Sequence, residues 1–262
     1  VADRRAALAA AVAQVAHEAG QMAFARWRTD FNRWEKTPGS PVCEVDLDVD
    51  RMLRARLEGL LPDAGWLSEE TVDSPERLAQ SHVWVVDPID GTRDYIRGRP
   101  GWAVSIALVE DGAVTIGVLD APARDERWSA AAGQGAWRNG VRLRAGDRSE
   151  LTGARVPTDA LPKVDRHLVM VAKPNSIALR MAMVAADEAD LVATLRWGNE
   201  WDIAAAALIA SEAGAGVSDA LGAPLRYNKP NPTAFGVMVA APGIHAAALA
   251  WIGPRAQATL NA

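Results

Sequence analysis

Cysteine is nearly absent: Cys43 is the single one in 262 residues. That excludes an intramolecular disulfide framework and suits a reducing compartment, so a cytoplasmic location is expected. No run of about 18 consecutive apolar residues occurs, which removes a transmembrane helix from consideration. Histidine is scarce as well, and His17, His82, His167 and His245 lack the close spacing of a zinc-binding helix motif. Charge of one sign never dominates. A formal net charge of −5 argues against a protein that coats a nucleic acid polymer or an anionic membrane. Internal repeats and low-complexity tracts are missing, and Gly133-Gln134-Gly135 lacks the third glycine of a dinucleotide fingerprint.

What is present is apolar material, 49% of the chain, enough for a substantial core in one large domain or two small ones. The ten tryptophans fall mostly in apolar runs, so core packing is expected of them. Helical spacing predicts a helix from Asp3 to Trp27, part of the folded domain rather than a leader, and a second from Leu47 to Leu61 ended by Pro62. Val83 to Val86 reads as a core strand that stops at Pro88. Trp102–Val109 and Ala113–Leu119 flank the hairpin signal Glu110-Asp111-Gly112, and short strands continue to Leu143. From Leu168 strand-like and helix-like segments alternate, an α/β pattern. The charged, proline- and glycine-containing stretch Gly146–Pro162 is the expected boundary, giving an α+β unit over 1–150 and a smaller α/β unit over 151–262.

The chemistry concentrates in Trp84-Val85-Val86-Asp87-Pro88-Ile89-Asp90-Gly91-Thr92. A buried strand runs into two carboxylates around a proline-fixed turn, so both acids and the Ile89 carbonyl can address one centre, and Gly91 allows close backbone approach. Hard oxygen donors suit Mg²⁺. A helix beginning at Thr92 would add free backbone N–H groups as an anion site. The bland alternative is a capped turn in which the aspartates serve as Asx-turn and N-cap groups.

Three further segments bear on that choice: Lys36 with Ser40–Asp46, Leu67-Ser68-Glu69-Glu70-Thr71, and Glu200-Trp201-Asp202-Ile203-Ala204-Ala205. Together, in this order, the four segments resemble the signature set of the inositol monophosphatase superfamily of Mg²⁺-dependent phosphatases, over residues 36 to 220 or so. The resemblance implies a layered α-β-α-β-α sandwich with the active site between the halves. It implies two or three Mg²⁺ ions, one held by Glu69, Asp87 and the Ile89 carbonyl and a second by Asp87, Asp90 and Asp202. Asp46, Glu69 and Thr92 correspond to the groups that orient the attacking water. Gly91 and Thr92 correspond to the phosphate cradle. Lys36 corresponds to a lysine near the metal site, and Cys43 to a position where a hydroxyl residue is more frequent.

Within the superfamily, Asp90–Ile96 with Gly98, Pro100 and Trp102, and later Glu200-Trp201-Asp202, is more similar to the 3'(2'),5'-bisphosphate nucleotidase branch. The expected reaction is then removal of the 3'-phosphate of adenosine 3',5'-bisphosphate. Asp90, Gly91, Thr92, Asp202, Lys36, Lys173 and Glu200 are the expected substrate contacts, and Arg97, Arg99, Lys173 and Arg196 are available for a second phosphate. Inositol monophosphate or another small sugar or polyol phosphate is the alternative, and a catalytically silent metal or phosphate binder is a third. The partner is a small phosphorylated metabolite, and a homodimer is compatible with the resemblance. Between Leu151 and Ser176 the chain is shorter than the family pattern by roughly a helix.

Overall fold

The computed structural model describes residues 2–261. In chain order the elements are α1 (Ala2–Arg26), β1 (Arg33–Thr37), β2 (Ser40–Cys43), α2 (Glu44–Leu60), β3 (Gly65–Ser68), β4 (His82–Asp90), α3 (Thr92–Ile96), β5 (Ala103–Glu110), β6 (Ala113–Ala121), β7 (Glu126–Ala131), β8 (Ala136–Arg138) and β9 (Val141–Arg142). There follow β10 (Arg155–Pro157), β11 (Val169–Val171), α4 (Ile177–Ala185), β12 (Leu191–Ala193), β13 (Trp197–Asn199), α5 (Glu200–Glu212), β14 (Gly216–Ser218), β15 (Thr233–Phe235), β16 (Met238–Ala240) and α6 (His245–Leu260).

Strands β3 to β9 form one seven-stranded sheet in sequential order. Its central strands are apolar at nearly every position because both faces are covered. Trp84, Val86, Ile106 and Leu108 pack toward α1 and α2, where Val12, Ala19, Leu53 and Leu57 meet them. Val83, Val85, Ala107 and Val109 face the opposite way, into the layer of α4 and α5. Beyond those helices lies the smaller sheet β12-β16-β14, antiparallel throughout, and α6 closes the stack against it. The α-β-α-β-α layering is therefore present. Truncating one fully buried side chain of this core, such as Leu53, to alanine would cost about 2–5 kcal/mol.

Three local features matter for the site, the first two differing from the sequence-based expectation and the third agreeing with it. First, β4 does not stop at Pro88 but runs on to Asp90. The β4–β5 ladder pairs Asp87 with Ser105 and next Asp90 with Ala103, an irregularity that spans Pro88 and Ile89. A proline without an N–H fits where no ladder bond is made. Second, β3 and β4 pair in parallel, with Ser68 opposite Val86. The residue after β3, Glu69, therefore leaves the sheet at the same edge as Asp87. Third, the segment between Leu151 and Ser176 holds only the short parallel pair β10 and β11 and one 3₁₀ turn, so no α-helix covers the cleft there.

The halves on either side of residue 150 share a core: Val85 and Leu119 belong to the same buried cluster as Ala205 and Val239. Helix α5 lies so close to the large sheet that a Cβ on Gly117 would sit 2.5 Å from the Ala205 carbonyl oxygen. This contact, one turn from Asp202, sets the depth at which that acid reaches the sheet edge. Three tryptophans depart from the core expectation, with Trp34, Trp137 and Trp197 exposed. Among the described residues no helix is long and apolar enough to cross a membrane.

Candidate active site

At the sheet edge reached by β3 and β4 a cleft of about 600 Å³ opens between the two halves. One wall is acidic. Glu69, Asp87 and Asp202 each place a carboxylate oxygen within 4.8 Å of the others. Asp87 is buried, and its Oδ1 accepts the Ile89 N–H at 3.0 Å, an Asx turn across Pro88. Burial, then the charges of Glu69, Asp90 and Asp202, push its carboxyl well above the ordinary range. Burial likewise raises Asp202 to about 7, with Asp90 as the next cause, and Asp90 to about 6.

Three of the acids also cap helices. Asp46 stands three residues after the N-cap Cys43 of α2, and its Oδ2 accepts from the Cys43 N–H at 2.9 Å and from the Cys43 thiol at 2.8 Å. Asp202 stands at the same place in α5, and its Oδ2 accepts the Asn199 N–H at 3.0 Å. Asp90 Oδ2 accepts from Ser176 Oγ at 2.5 Å and from the Ala178 N–H at 2.8 Å, at the start of α4. The capped-turn reading and the site reading therefore hold together, because each carboxylate gives one oxygen to the backbone and keeps the other.

Thr92 links Asp46 to the strand end. Its hydroxyl lies 3.0 Å from the Ile89 carbonyl oxygen and 3.2 Å from Asp46 Oδ1. One proton cannot serve both acceptors fully, so whenever the Ile89 carbonyl is engaged elsewhere the hydroxyl is left to Asp46. Burial raises Asp46 to about 6, against the lowering effect of the Cys43 donors. Gly91 has φ 95°, and a Cβ there would meet the Gly101 carbonyl at 2.6 Å and the Ser176 nitrogen at 2.9 Å. Only glycine lets this turn pass between those backbones.

The opposite wall is basic. Lys173, Arg180 and Arg196 line the cleft with Asn175 and Ile177, and Arg93 stands at its rim. Lys173 also pairs with Asp159. Arg180 was not visible as a site residue in the sequence, although it is the one charge in the apolar helix Ile177–Ala185. That isolation was the available signal. Arg97 and Arg99 do not reach the acidic cleft. They line an adjoining basin of about 530 Å³ that shares Arg93, Lys173 and Asn175 with it.

Two of the expected substrate contacts, Glu200 and Lys36, are not among the residues that line the cleft. Glu200 is fully buried and turned away from the cleft, accepting from the Asn228 and Lys229 N–H groups at 2.6 and 3.2 Å. Residues two apart on a helix face different directions, so sharing a helix start with Asp202 does not bring Glu200 to the same cleft. Lys36 donates to Glu69 and Glu70, each at 2.8 Å. Burial opposes its charge, yet the two carboxylates hold its ammonium above the ordinary lysine range. It braces Glu69, an acid of the cluster.

A cluster of three convergent carboxylates, two of them raised by burial and mutual repulsion, and with oxygen as the sole donor type, fits a hard divalent cation. The comparisons with known proteins agree. The model of the inositol monophosphatase family matches residues 3–258. The chain belongs to that family. A Thermotoga maritima protein named fructose-1,6-bisphosphatase/inositol-1-monophosphatase is 33% identical over 210 residues, covering 76% of this chain and 80% of that one. A Rhizobium meliloti inositol-1-monophosphatase is 33% identical over 207 residues, with 71% and 75% covered. Among solved structures, the Thermotoga maritima IMPase superposes with a TM-score of 0.81 at 28% identity, covering 94% of this chain and 97% of its own. The family expected from the sequence is therefore shown. The nucleotidase branch is not what these relatives' names carry.

Proposed function

We propose that this family phosphatase is a cytosolic Mg²⁺-dependent phosphomonoesterase that hydrolyses a small sugar or polyol phosphate by direct attack of water. The observation that carries the reading is the meeting of Glu69, Asp87 and Asp202 within 4.8 Å opposite a wall of cations. It is supported by relatives named inositol-1-monophosphatase and fructose-1,6-bisphosphatase/inositol-1-monophosphatase. Glu69, Asp87, the Ile89 carbonyl, Asp90 and Asp202 are the groups that would hold the ions. Bound there, Mg²⁺ supplies acidification of water and neutralisation of charge on the transferring phosphoryl group.

The residues do the rest. A Thr92 hydroxyl that donates to Asp46 presents its lone pairs to a water and so orients that water's proton. Asp46, held by the Cys43 N–H and thiol, cannot swing away. Glu69, braced by Lys36, is the acceptor best placed at the mouth of the cluster. Arg180, Arg196 and Lys173 hold the anionic substrate and leave its phosphate facing the acids. Cys43 is buried and hydrogen-bonded to Asp46, and burial raises its thiol far above the ordinary range, so it is no nucleophile.

A second reading, 3'-phosphate removal from adenosine 3',5'-bisphosphate, is favoured by one observation. The basin of Arg97 and Arg99 adjoins the cleft and offers room and charge for a second phosphate. A phosphate-release panel separates the readings. Inositol 1-phosphate, fructose 1,6-bisphosphate and adenosine 3',5'-bisphosphate are compared with and without Mg²⁺. The first reading expects a sugar or polyol phosphate to lead in kcat/KM by about tenfold, or about 1.4 kcal/mol in the transition state. A tenfold lead for the nucleotide would install the second reading, and no release from any phosphate ester would leave a silent binder.

A further inference from the structure

Asp90 is the one acid of the site whose cap partners come from across the cleft. Its Oδ2 receives Ser176 Oγ and the Ala178 N–H, while Ser176 Oγ itself accepts the Leu179 N–H at 2.9 Å as the N-cap of α4. Ser176 is fully buried, and its own N–H is spent on the Gly101 carbonyl at 2.9 Å. One hydroxyl thus joins the strand-end carboxylate to the first turn of a helix in the other half. The same turn holds Arg180. Its Nε donates to the Ser176 carbonyl at 3.2 Å and a terminal nitrogen donates to the Asn175 carbonyl at 2.8 Å. Arg180 is among the residues that line the cleft.

We propose that Ser176 is a positioning residue that couples cation binding at Asp90 to anion binding at Arg180. This rests on the phosphatase reading and names a regulation internal to that site. With Oδ2 committed to Ser176 and Ala178, the Asp90 carboxylate has one orientation, and Oδ1 is the oxygen left for a cation. A hydrogen-bonded partner of a metal-binding carboxylate fixes its direction and sets its affinity. A cation that fixes Asp90 also holds, through these bonds, the turn that orients Arg180, and an anion that fixes Arg180 holds the same turn in the arrangement that presents Asp90 to the cation. Two ligands that bias one element must change each other's affinity by the same factor.

The test uses the whole chain and two probes, Mg²⁺ alone and inorganic phosphate, with binding followed calorimetrically rather than by turnover. Two substitutions remove the hydroxyl at different cost to the helix cap. Ser176→Ala loses the cap, whereas Ser176→Gly keeps most of its stability because glycine is tolerated there. Both are expected to weaken Mg²⁺ binding by about tenfold although their melting temperatures differ. In the wild type, Mg²⁺ should tighten phosphate binding by about five-fold or more, a factor that shrinks toward one in Ser176→Gly. Arg180→Gln should weaken phosphate binding and shrink the factor by which Mg²⁺ tightens it. A cooperatively melting Ser176→Gly protein that binds Mg²⁺ as the wild type does would overturn the inference and leave the phosphatase reading intact. So would a loss of Mg²⁺ affinity that tracks melting temperature rather than the hydroxyl. A wild type that binds no Mg²⁺ at all sinks both.

Discussion

Helices α2 and α5 begin with the same local device and put it to different use. Each has an aspartate three residues past its N-cap, with Oδ2 accepting the N-cap N–H: Asp46 from Cys43 and Asp202 from Asn199. In α2 the remaining oxygen meets one hydroxyl, Thr92, within a pocket that also contains the Cys43 thiol. In α5 the carboxylate meets two others, Glu69 and Asp87. What decides the chemistry is the neighbour across the fold. A proton donor makes the carboxylate an organiser of hydrogen bonds, and a second acid makes it a demand for a cation.

The largest expected effect breaks that symmetry. Asp202→Asn keeps an oxygen for the Asn199 N–H but removes a charge from the cluster. It should lower kcat by at least about 100-fold, the several kcal/mol that a metal contributes to charge stabilisation. Its metal-free melting temperature should be unchanged or higher, because a repelling buried charge is gone. Near wild-type turnover in this variant would remove the cation-site reading.

Asp46→Asn should cost less, about 10- to 100-fold in kcat, by turning the Thr92 hydroxyl toward the Ile89 carbonyl; its Mg²⁺ affinity should stay within about threefold of wild type. Titration of both variants with Mg²⁺ is the check. Equal losses of affinity would mean that the two helix starts do the same job after all.

Acidity sharpens the contrast further. Asp46 and Asp90 at about 6, and Asp202 and Glu70 at about 7, all lie above their ordinary values, chiefly through burial. Between about pH 4 and 7 the folded chain then binds more protons than the unfolded one, so metal-free stability falls as pH rises through that window. Melting scans should show the metal-free protein more stable near about pH 5 than near about pH 7.5, with Mg²⁺ restoring stability mainly at the higher pH. Asp73 and Asp190, whose carboxyls are lowered, work in the opposite sense, but below about pH 4. A flat profile without metal would mean that the acids are better solvated than their burial implies.

The smallest effect is expected at Cys43→Ser. A hydroxyl is a better N-cap than a thiol and can make the same bond to Asp46, so stability should change by no more than about 1 kcal/mol and kcat by less than about threefold. A collapse of activity with the fold intact would give the thiol a chemical role that the geometry does not.

The sequence was informative wherever one residue type at one position has few structural uses. Asp87 and Asp90 stood out because acids at the end of a β-branched, aromatic run must be accounted for, whereas Asp202 entered the site only through the resemblance. The helices and strands followed from apolar periodicity, and their layering from the resemblance. The continuation of β4 through Pro88 was hidden because the ladder irregularity that tolerates a proline depends on β5 rather than on local propensity. The parallel pairing that brings Glu69 to Asp87 is a tertiary choice, and in the sequence their meeting rested on resemblance alone. Glu200 was misplaced through adjacency to Asp202 when helical rotation separates them. Arg180 was missed because only the packing of α4 shows which wall it lines.

The sharing of Oδ2 between site and helix start shapes how a copy of this gene would decay if its reaction were no longer needed. Drift to alanine at Asp46, Asp90 or Asp202 would strip a helix of its first-turn acceptor at about 0.5–2 kcal/mol each, so such copies would be lost as poorly folded chains. Drift to asparagine keeps the acceptor and discards the charge. Silent descendants should therefore be recognisable by amides at these three positions, whereas Glu69, whose side chain caps no helix, would be free to become almost anything.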